Sequence, residues 1–265
     1  MKVEIRNSLW YYIQNMLEWE VCMLVFSEPQ LKDCAWISKC VKESGYMGSD
    51  ASFANIYLLK SKYNTKVSFY KDFLIRYYEG YGSRHGYTFP LGHGKADKAL
   101  EAIRQDALEN NRKLEFCFVT EEQKEVLDAV YGNILEYKKD DGDSDYIYGQ
   151  QELAALSGRA YHKKKNHLSK FKRTYNNIRY SEIGAGNIED AVIIEDNWYK
   201  EHIKDGDASI NMEYSAIKEA LLLFDDLALT GGILYVNDVP AAMTIASYIN
   251  DDTVDIHFEK CIGEY

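Results

Sequence analysis

The chain has 265 residues and a formal net charge of −11, with 31 Lys and Arg against 42 Asp and Glu. With 46% hydrophobic residues and only 3 prolines it is a packed globular sequence, long enough for one large or two modest domains and too apolar for extensive disorder. Its 5 cysteines are odd in number and form no CxxC pair, which argues against a disulfide framework or a zinc site and for a reduced, cytoplasmic setting.

The opening MKVEIRNSLW lacks the basic-then-apolar layout of a signal peptide. The apolar run at 9–26 is interrupted by Gln14, Asn15, Glu18 and Glu20, while Leu9, Ile13, Met16 and Leu17 fall at helical spacing. That pattern predicts an amphipathic surface or interface helix rather than a membrane span. SEPQLKDCAWISKCVKESG predicts a helix with Ser27 as cap, Pro29 in the first turn, Gln30 completing a capping box and Gly45 just past the end. SDASFANIYLLKSKY reads as a second helix, KVSFYKDFLIRYYEG and GYTFP as strands, 95–111 as a helix and LEFCFV as a short buried strand. TEEQKEVLDAVYG predicts a helix boxed by Thr120 and Gln123. The acidic, glycine-broken KKDDGDSDY (138–146) is the linker candidate, with a strand DYIYG returning through it.

The second half opens with a basic helix inside RAYHKKKNHLSKFKRTY (159–175), followed by helices in NIEDAVIIEDNWYKEHI and MEYSAIKEALLLFDDLAL. In the last of these, Ile217, Ala220, Leu221, Phe224, Leu227 and Ala228 share one face. After Gly231 and Gly232 come ILYV, PAAMTIASYI and TVDIHFEK, a three-strand meander joined by ND and NDD turns. The expected fold class is α+β with mixed, largely antiparallel sheets. The element order occurs twice, which predicts a first domain over 1–150 and a second over 151–265.

Three stretches could carry chemistry. Residues 153–181 hold eight Lys or Arg and no acid, so the other 236 residues carry 23 basic against 42 acidic side chains. Wound as a helix, Ala160, Tyr161, Leu168, Phe171 and Tyr175 gather on one side, opposite Arg159, Lys163, Lys170 and Arg173. Lys164 projects into the apolar stripe. Two readings stand: the solvated face of a core helix, and a surface for RNA backbone or anionic lipid headgroups. In TVDIHFEK a regular strand puts Val254, Ile256 and Phe258 on one face and Asp255, His257 and Glu259 on the other. Three ionisable groups in a row can supply a general base, or can be the polar side of a half-solvated sheet. Their spacing identifies no metal site. In FPLGHGKADKALEAI, Gly92 and Gly94 lead through Lys95 into a helix, either as a plain turn or as a phosphate-holding junction. No P-loop, GxSxG, HExxH or Cys–His nucleophile pairing is present.

SGRAYHKKKNHLSKFKRTY, SDASFANIYLLKSKYN, FPLGHG, TEEQKEVLDAVYG and VDIHFEK together resemble the family described by the C-terminal domain of phosphatidylglycerol lysyltransferases. The resemblance runs from about Ser27 to the end and is most specific over 157–175. It implies two tandem GNAT-like acyltransferase folds, which in the lysyltransferases move an aminoacyl group from charged tRNA to a lipid headgroup. Aminoacyl-tRNA or acyl-CoA is then the implied donor, tRNA or an anionic lipid headgroup the implied partner, and a cytoplasmic chain peripheral to the membrane the implied setting, with no transmembrane segment of its own.

Two departures from the family pattern shape the expectation. GNAT enzymes that use acetyl-CoA carry a Q/R-x-x-G-x-G/A loop. Gly92 and Gly94 fit its glycines, but Phe89 occupies the first position, so weak acetyl-CoA binding is expected. Relatives continue beyond FEKCIGEY, so the second copy is expected to be incomplete, with its last strand an edge open to self-association. The expected function is acyl or aminoacyl transfer to an amine or hydroxyl. Glu259 is the first candidate for base or amine-binding carboxylate, with His257 and Asp255 next. Lys164 is read as a donor to the reacting carbonyl or as a core lysine whose amine snorkels. The competing readings are a non-catalytic polyanion-binding module and an acetyl-CoA-dependent N-acetyltransferase.

Overall fold

The structure is a computed structural model that describes residues 2–5, 23–80, 84–132, 134–139, 141–204 and 207–263. Most of the amphipathic helix expected at 9–26 therefore lies outside the described residues. The chain divides into two compact units, Met1–Ser144 with Ile249–Asp251, and Asp145–Tyr248 with Asp252–Tyr265.

The first unit runs β1 (Lys2–Ile5), α1 (Cys34–Ser44), α2 (Phe53–Leu58), α3 (Lys60–Tyr63), β2 (Lys66–Tyr70), β3 (Phe73–Tyr78), β4 (Gly86–Thr88), β5 (Leu91–Gly92), α4 (Asp97–Glu109), β6 (Glu115–Cys117), α5 (Glu121–Tyr131) and β7 (Leu135–Lys138). One mixed sheet takes the order β2-β3-β4-β6-β1-β7, with β5 added on β3. The parallel pair is β4 with β6, which matches Tyr87 to Phe116 and Thr88 to Cys117 and is bridged by α4.

Local chemistry explains most of these boundaries. Thr120 and Gln123 cap α5 reciprocally, at 3.1 and 3.3 Å, as the sequence predicts. Gly45 closes α1 in the left-handed region at φ 68°. The start of α1 differs from expectation. Ser27 instead pairs with Val67 in a two-bond bridge, and the Gln30 amide donates to the Asp33 carboxylate at 2.8 Å. An acid three residues into the turn is the better acceptor there, because it also meets the positive helix end. The second expected helix is broken between α2 and α3. Ser52 starts α2 by accepting the Asn55 amide at 3.2 Å, and Leu59 leaves the helical region before α3 begins. Lys71 and Asp72 join β2 to β3 with positive φ at both positions, the mirror-image turn whose twist suits a hairpin. Leu100, Ile103, Phe116 and Leu127 form the centre of this unit's core.

The second unit runs α6 (Gln150–Ala155), α7 (His162–Thr174), β8 (Ile178–Glu182), α8 (Ile188–His202), α9 (Ala208–Leu222), β9 (Thr230–Val236), β10 (Val239–Tyr248) and β11 (Val254–Cys261). Its antiparallel sheet has the order β11-β10-β9-β8. The strand expected in DYIYG is absent, and Tyr146 and Ile147 are exposed there with no ladder to join. The stripe expected after α8 buries Ile217, Ala220, Leu221, Phe224 and Leu227, while Ala228 is exposed at φ 49° beyond the helix. α8 packs on β10 and β11 and thereby covers the inner face of the outermost pair of strands.

Candidate functional site

The site is built by one irregularity in β11. Ile245 pairs with Phe258 but Ala246 pairs with Ile256, so His257 is an extra residue, a β-bulge. A bulge shifts the phase of a strand whose side chains otherwise alternate. The expected grouping of Asp255, His257 and Glu259 on one face is therefore corrected. Asp255, Phe258 and Lys260 point to the buried face, whereas Val254, Ile256 and Glu259 are exposed. The first candidate base, Glu259, is thus separated from the two residues expected beside it.

Asp255 and His257 come together with a third residue that the sequence did not single out. The Ser247 hydroxyl lies 2.8 Å from His257 Nε2. His257 Nδ1 lies 3.0 Å from Asp255 Oδ2, close in distance but bent away from a linear N–H···O bond. Both side chains of that pair are almost wholly covered, at 2% and 6% exposure. Ser247 is buried as well, and in the ladder it is the cross-strand partner of Asp255.

Further along the same face a second charged group gathers. The Lys260 ammonium contacts the Glu213 carboxylate and sits 3.3 Å from the centroid of the Trp198 ring, a cation–π position with little water. Glu195, one turn before Trp198 on α8, is fully buried, and neither carboxyl oxygen has a hydrogen-bond partner among the described residues. Burial pushes its carboxyl up to about 7, with Glu213 and Asp196 adding to the rise and Lys260 opposing it. Asp196, next in sequence, is exempt from that fate. Although burial opposes it, hydrogen bonds from Lys218 at 2.9 Å and Tyr214 at 2.8 Å hold it below the usual carboxylate range.

This face can therefore move a proton at a hydroxyl through His257, and it can hold or release a proton near neutral pH at Glu195. The Glu195, Glu213, Lys260 and Ser247 positions were missed by sequence reasoning. One signal was readable: Glu195 shares a helical face with Ala191 and Ile194, where a solvated acid does not belong.

The remaining candidates lie elsewhere. Lys164 is exposed on α7 with its ammonium 5.3 Å from the Tyr148 ring centroid. α7 buries no residue at all, so the core-lysine reading is corrected: there is no core beneath Lys164 for its stem to line. Arg159, just before α7, and Lys163, Lys170 and Arg173 on it are exposed and make no ion pair among the described residues. Gly92 lies in β5, where a Cβ would come 2.2 Å from the Asp72 carbonyl oxygen; its close approach to β3 already explains the glycine. Gly94 adopts φ 92° in open space, Lys95 is exposed, and Phe89 packs against the core.

The model of the family "Phosphatidylglycerol lysyltransferase, C-terminal" matches residues 42–264. A solved structure described as a conserved protein of unknown function from Bacteroides thetaiotaomicron VPI-5482 superposes with a TM-score of 0.83 and 29% identity, covering 90% of this chain and 80% of that one. The C-terminal domain (DUF2156) of a putative lysylphosphatidylglycerol synthetase from Agrobacterium fabrum superposes with a TM-score of 0.52 at 10% identity, over 88% of this chain and 69% of that one, a likeness of fold. Among curated proteins none matches. No helix among the described residues is long and apolar enough to cross a membrane. On the family match over residues 42–264, the chain belongs to the phosphatidylglycerol lysyltransferase C-terminal family.

Proposed function

We propose that this chain transfers an aminoacyl group from an activated donor, a charged tRNA, to a hydroxyl or amine on a lipid headgroup, using two GNAT-like units in tandem. Family membership supports the reaction class. The tandem reading is supported by a shared order of elements: helices lead into an antiparallel meander in α1–β4 and again in α8–β11.

The observation that carries the reading is the His257 imidazole, held between a carboxylate and a hydroxyl on a dry sheet face. An aminoacyl ester is already activated, so the protein needs to position the acceptor, accept its proton and stabilise the developing oxyanion. His257 is the base in this scheme and Asp255 orients it. Glu195 and Glu213 supply negative charge where an ammonium would otherwise be unfavourable to bury. The acid-free face of α7 holds the phosphates of the donor or of an anionic headgroup. Acyl-CoA is the less favoured donor, because Gly92 is taken up by packing against β3 and Phe89 by the core.

The test is transfer of a radiolabelled amino acid from charged tRNA into the lipid phase of phosphatidylglycerol vesicles. Wild-type protein moves the label and His257→Ala loses it. Reversing Lys163, Lys170 and Arg173 to Glu weakens vesicle or tRNA binding at low salt by about two orders of magnitude, at roughly 1 kcal/mol per basic residue. A wild-type chain that moves label from no charged tRNA to any acceptor overturns the reading.

A further inference from the structure

The triple Ser247–His257–Asp255 invites a step beyond base catalysis. In hydrolases of unrelated folds, a hydroxyl on one imidazole nitrogen and a carboxylate on the other make a nucleophile, and the arrangement is identified by geometry rather than by sequence order. Here the hydroxyl at Nε2 is the protein's own. A carboxylate beside Nδ1 favours the tautomer with its proton on that nitrogen, which leaves Nε2 as the acceptor facing Ser247. The bent Asp255 contact is of the kind that tightens when substrate binds.

An ordinary buried polar pair does not need this construction. Ser247 and Asp255 are direct cross-strand partners, and the extra residue of the bulge brings an imidazole to the Ser247 hydroxyl. Two of the three groups stand on β11, the outermost strand of its sheet, with β10 as partner. An ester would reach the three groups from the α8 side of the sheet, because parting β11 from β10 would separate His257 from Ser247.

We propose that Ser247 is an acyl-accepting nucleophile, so that the chain forms a transient serine ester with the acyl group of an activated carboxylic ester. The Ser247 oxygen forms a bond to the ester carbonyl carbon while its proton passes to His257 Nε2. Collapse of the tetrahedral adduct breaks the bond to the departing alcohol, which takes that proton. A second hydroxyl, water or an acceptor, then repeats the sequence on the serine ester and restores Ser247. With water the sum is ester plus water giving acid plus alcohol; with an acceptor it is acyl transfer in two steps. The serine ester deepens the transfer reading and depends on it only for the identity of the donor.

The full chain is incubated with p-nitrophenyl acetate and, separately, with a fluorophosphonate, followed by intact mass spectrometry and peptide mapping. One adduct on Ser247 is expected with each, absent in Ser247→Ala and formed roughly a hundredfold or more slowly in His257→Ala. Ser247→Cys guards against a folding artefact: iodoacetamide should alkylate the introduced thiol faster than Cys261, and His257→Ala should abolish the difference. No adduct on Ser247 in folded protein, or an adduct whose rate ignores His257, overturns the proposal. Undiminished lipid transfer by Ser247→Ala also overturns it while leaving the transfer reading intact. An adduct on Ser247 in a protein that moves no aminoacyl group does the reverse.

Discussion

Each unit buries charge, and the two do it differently. In the first, Arg76 is fully covered within β3. Its guanidinium lies 2.7 Å from Asp50 Oδ2 and donates to the Asp50 carbonyl and, at 3.1 Å, to Tyr78. Tyr46 donates to the other Asp50 oxygen at 2.9 Å, its phenol held protonated by burial and by the adjacent carboxylate. Asp50 Oδ2 meets Arg76 as an ion pair rather than a hydrogen bond, and Arg76 Nε has no acceptor among the described residues. In the second unit the Glu195 carboxyl has no hydrogen-bond partner among the described residues, and Lys260 rests on an aromatic face beside Glu213. A buried ion paired with its counter-charge and further hydrogen bonds holds a fold together. A buried acid without them costs stability, and its retention points to chemistry.

The largest test of that contrast is removal of the paired charge. Arg76→Met strands Asp50 in a dry interior and should cost about 3–5 kcal/mol of stability in urea denaturation. A loss below about 1 kcal/mol would show that this buried pair does not hold the fold together, and the contrast would fail.

The opposite sign is expected at Glu195. Its carboxyl stands at about 7 when folded against 4.5 as its ordinary value. Between those values the folded state binds more protons than the unfolded one, so stability falls as pH rises through that window and the loss is complete above it. The size is up to about 3 kcal/mol. Glu195→Gln should therefore be more stable than wild type at pH 8 by up to that amount, with the slope removed and transfer activity lost. A variant less stable than wild type at pH 8 would mean that Glu195 has a partner when ionised.

The smallest effect concerns the sheets rather than the charges. β6 lies between β4 and β1, whereas β11 has β10 on one side. Amide hydrogen exchange should show 254–261 opening well before 115–117. Equal protection in a proven monomer would mean that the β11 edge is covered.

Local signals were legible and long-range ones were not. The α5 capping box and the glycine that ends α1 are decided within a few residues, and both were readable. β1 was not: four alternating residues carry little β signal, and the strand exists because β6 and β7 flank it. The basic island was visible as composition, although whether α7 had a core beneath it depended on packing. At the candidate site, His257 and Asp255 were visible as neighbours on a strand. Ser247 was ten residues away in a different strand, and no local pattern ties it to them. A single extra residue misassigned Glu259, because alternation amplifies a one-residue error into a change of face.

That extra residue also divides β11 into two independently phased segments. Val254 to Ile256 take their orientation from the turn that precedes them, and Phe258 to Cys261 take theirs from the far end of β10. Asp255 sits in the first segment, His257 is the bulge residue between the two, and the apolar and ammonium contacts lie in the second. Substitutions can tune one without re-aiming the other, but loss of one residue at 257 would bring both segments into a common phase. Asp255, Phe258 and Lys260 would then still share a face by plain alternation, and the loss would be the imidazole that meets Ser247. The extra residue adds a side chain to the face without costing its neighbours their facing.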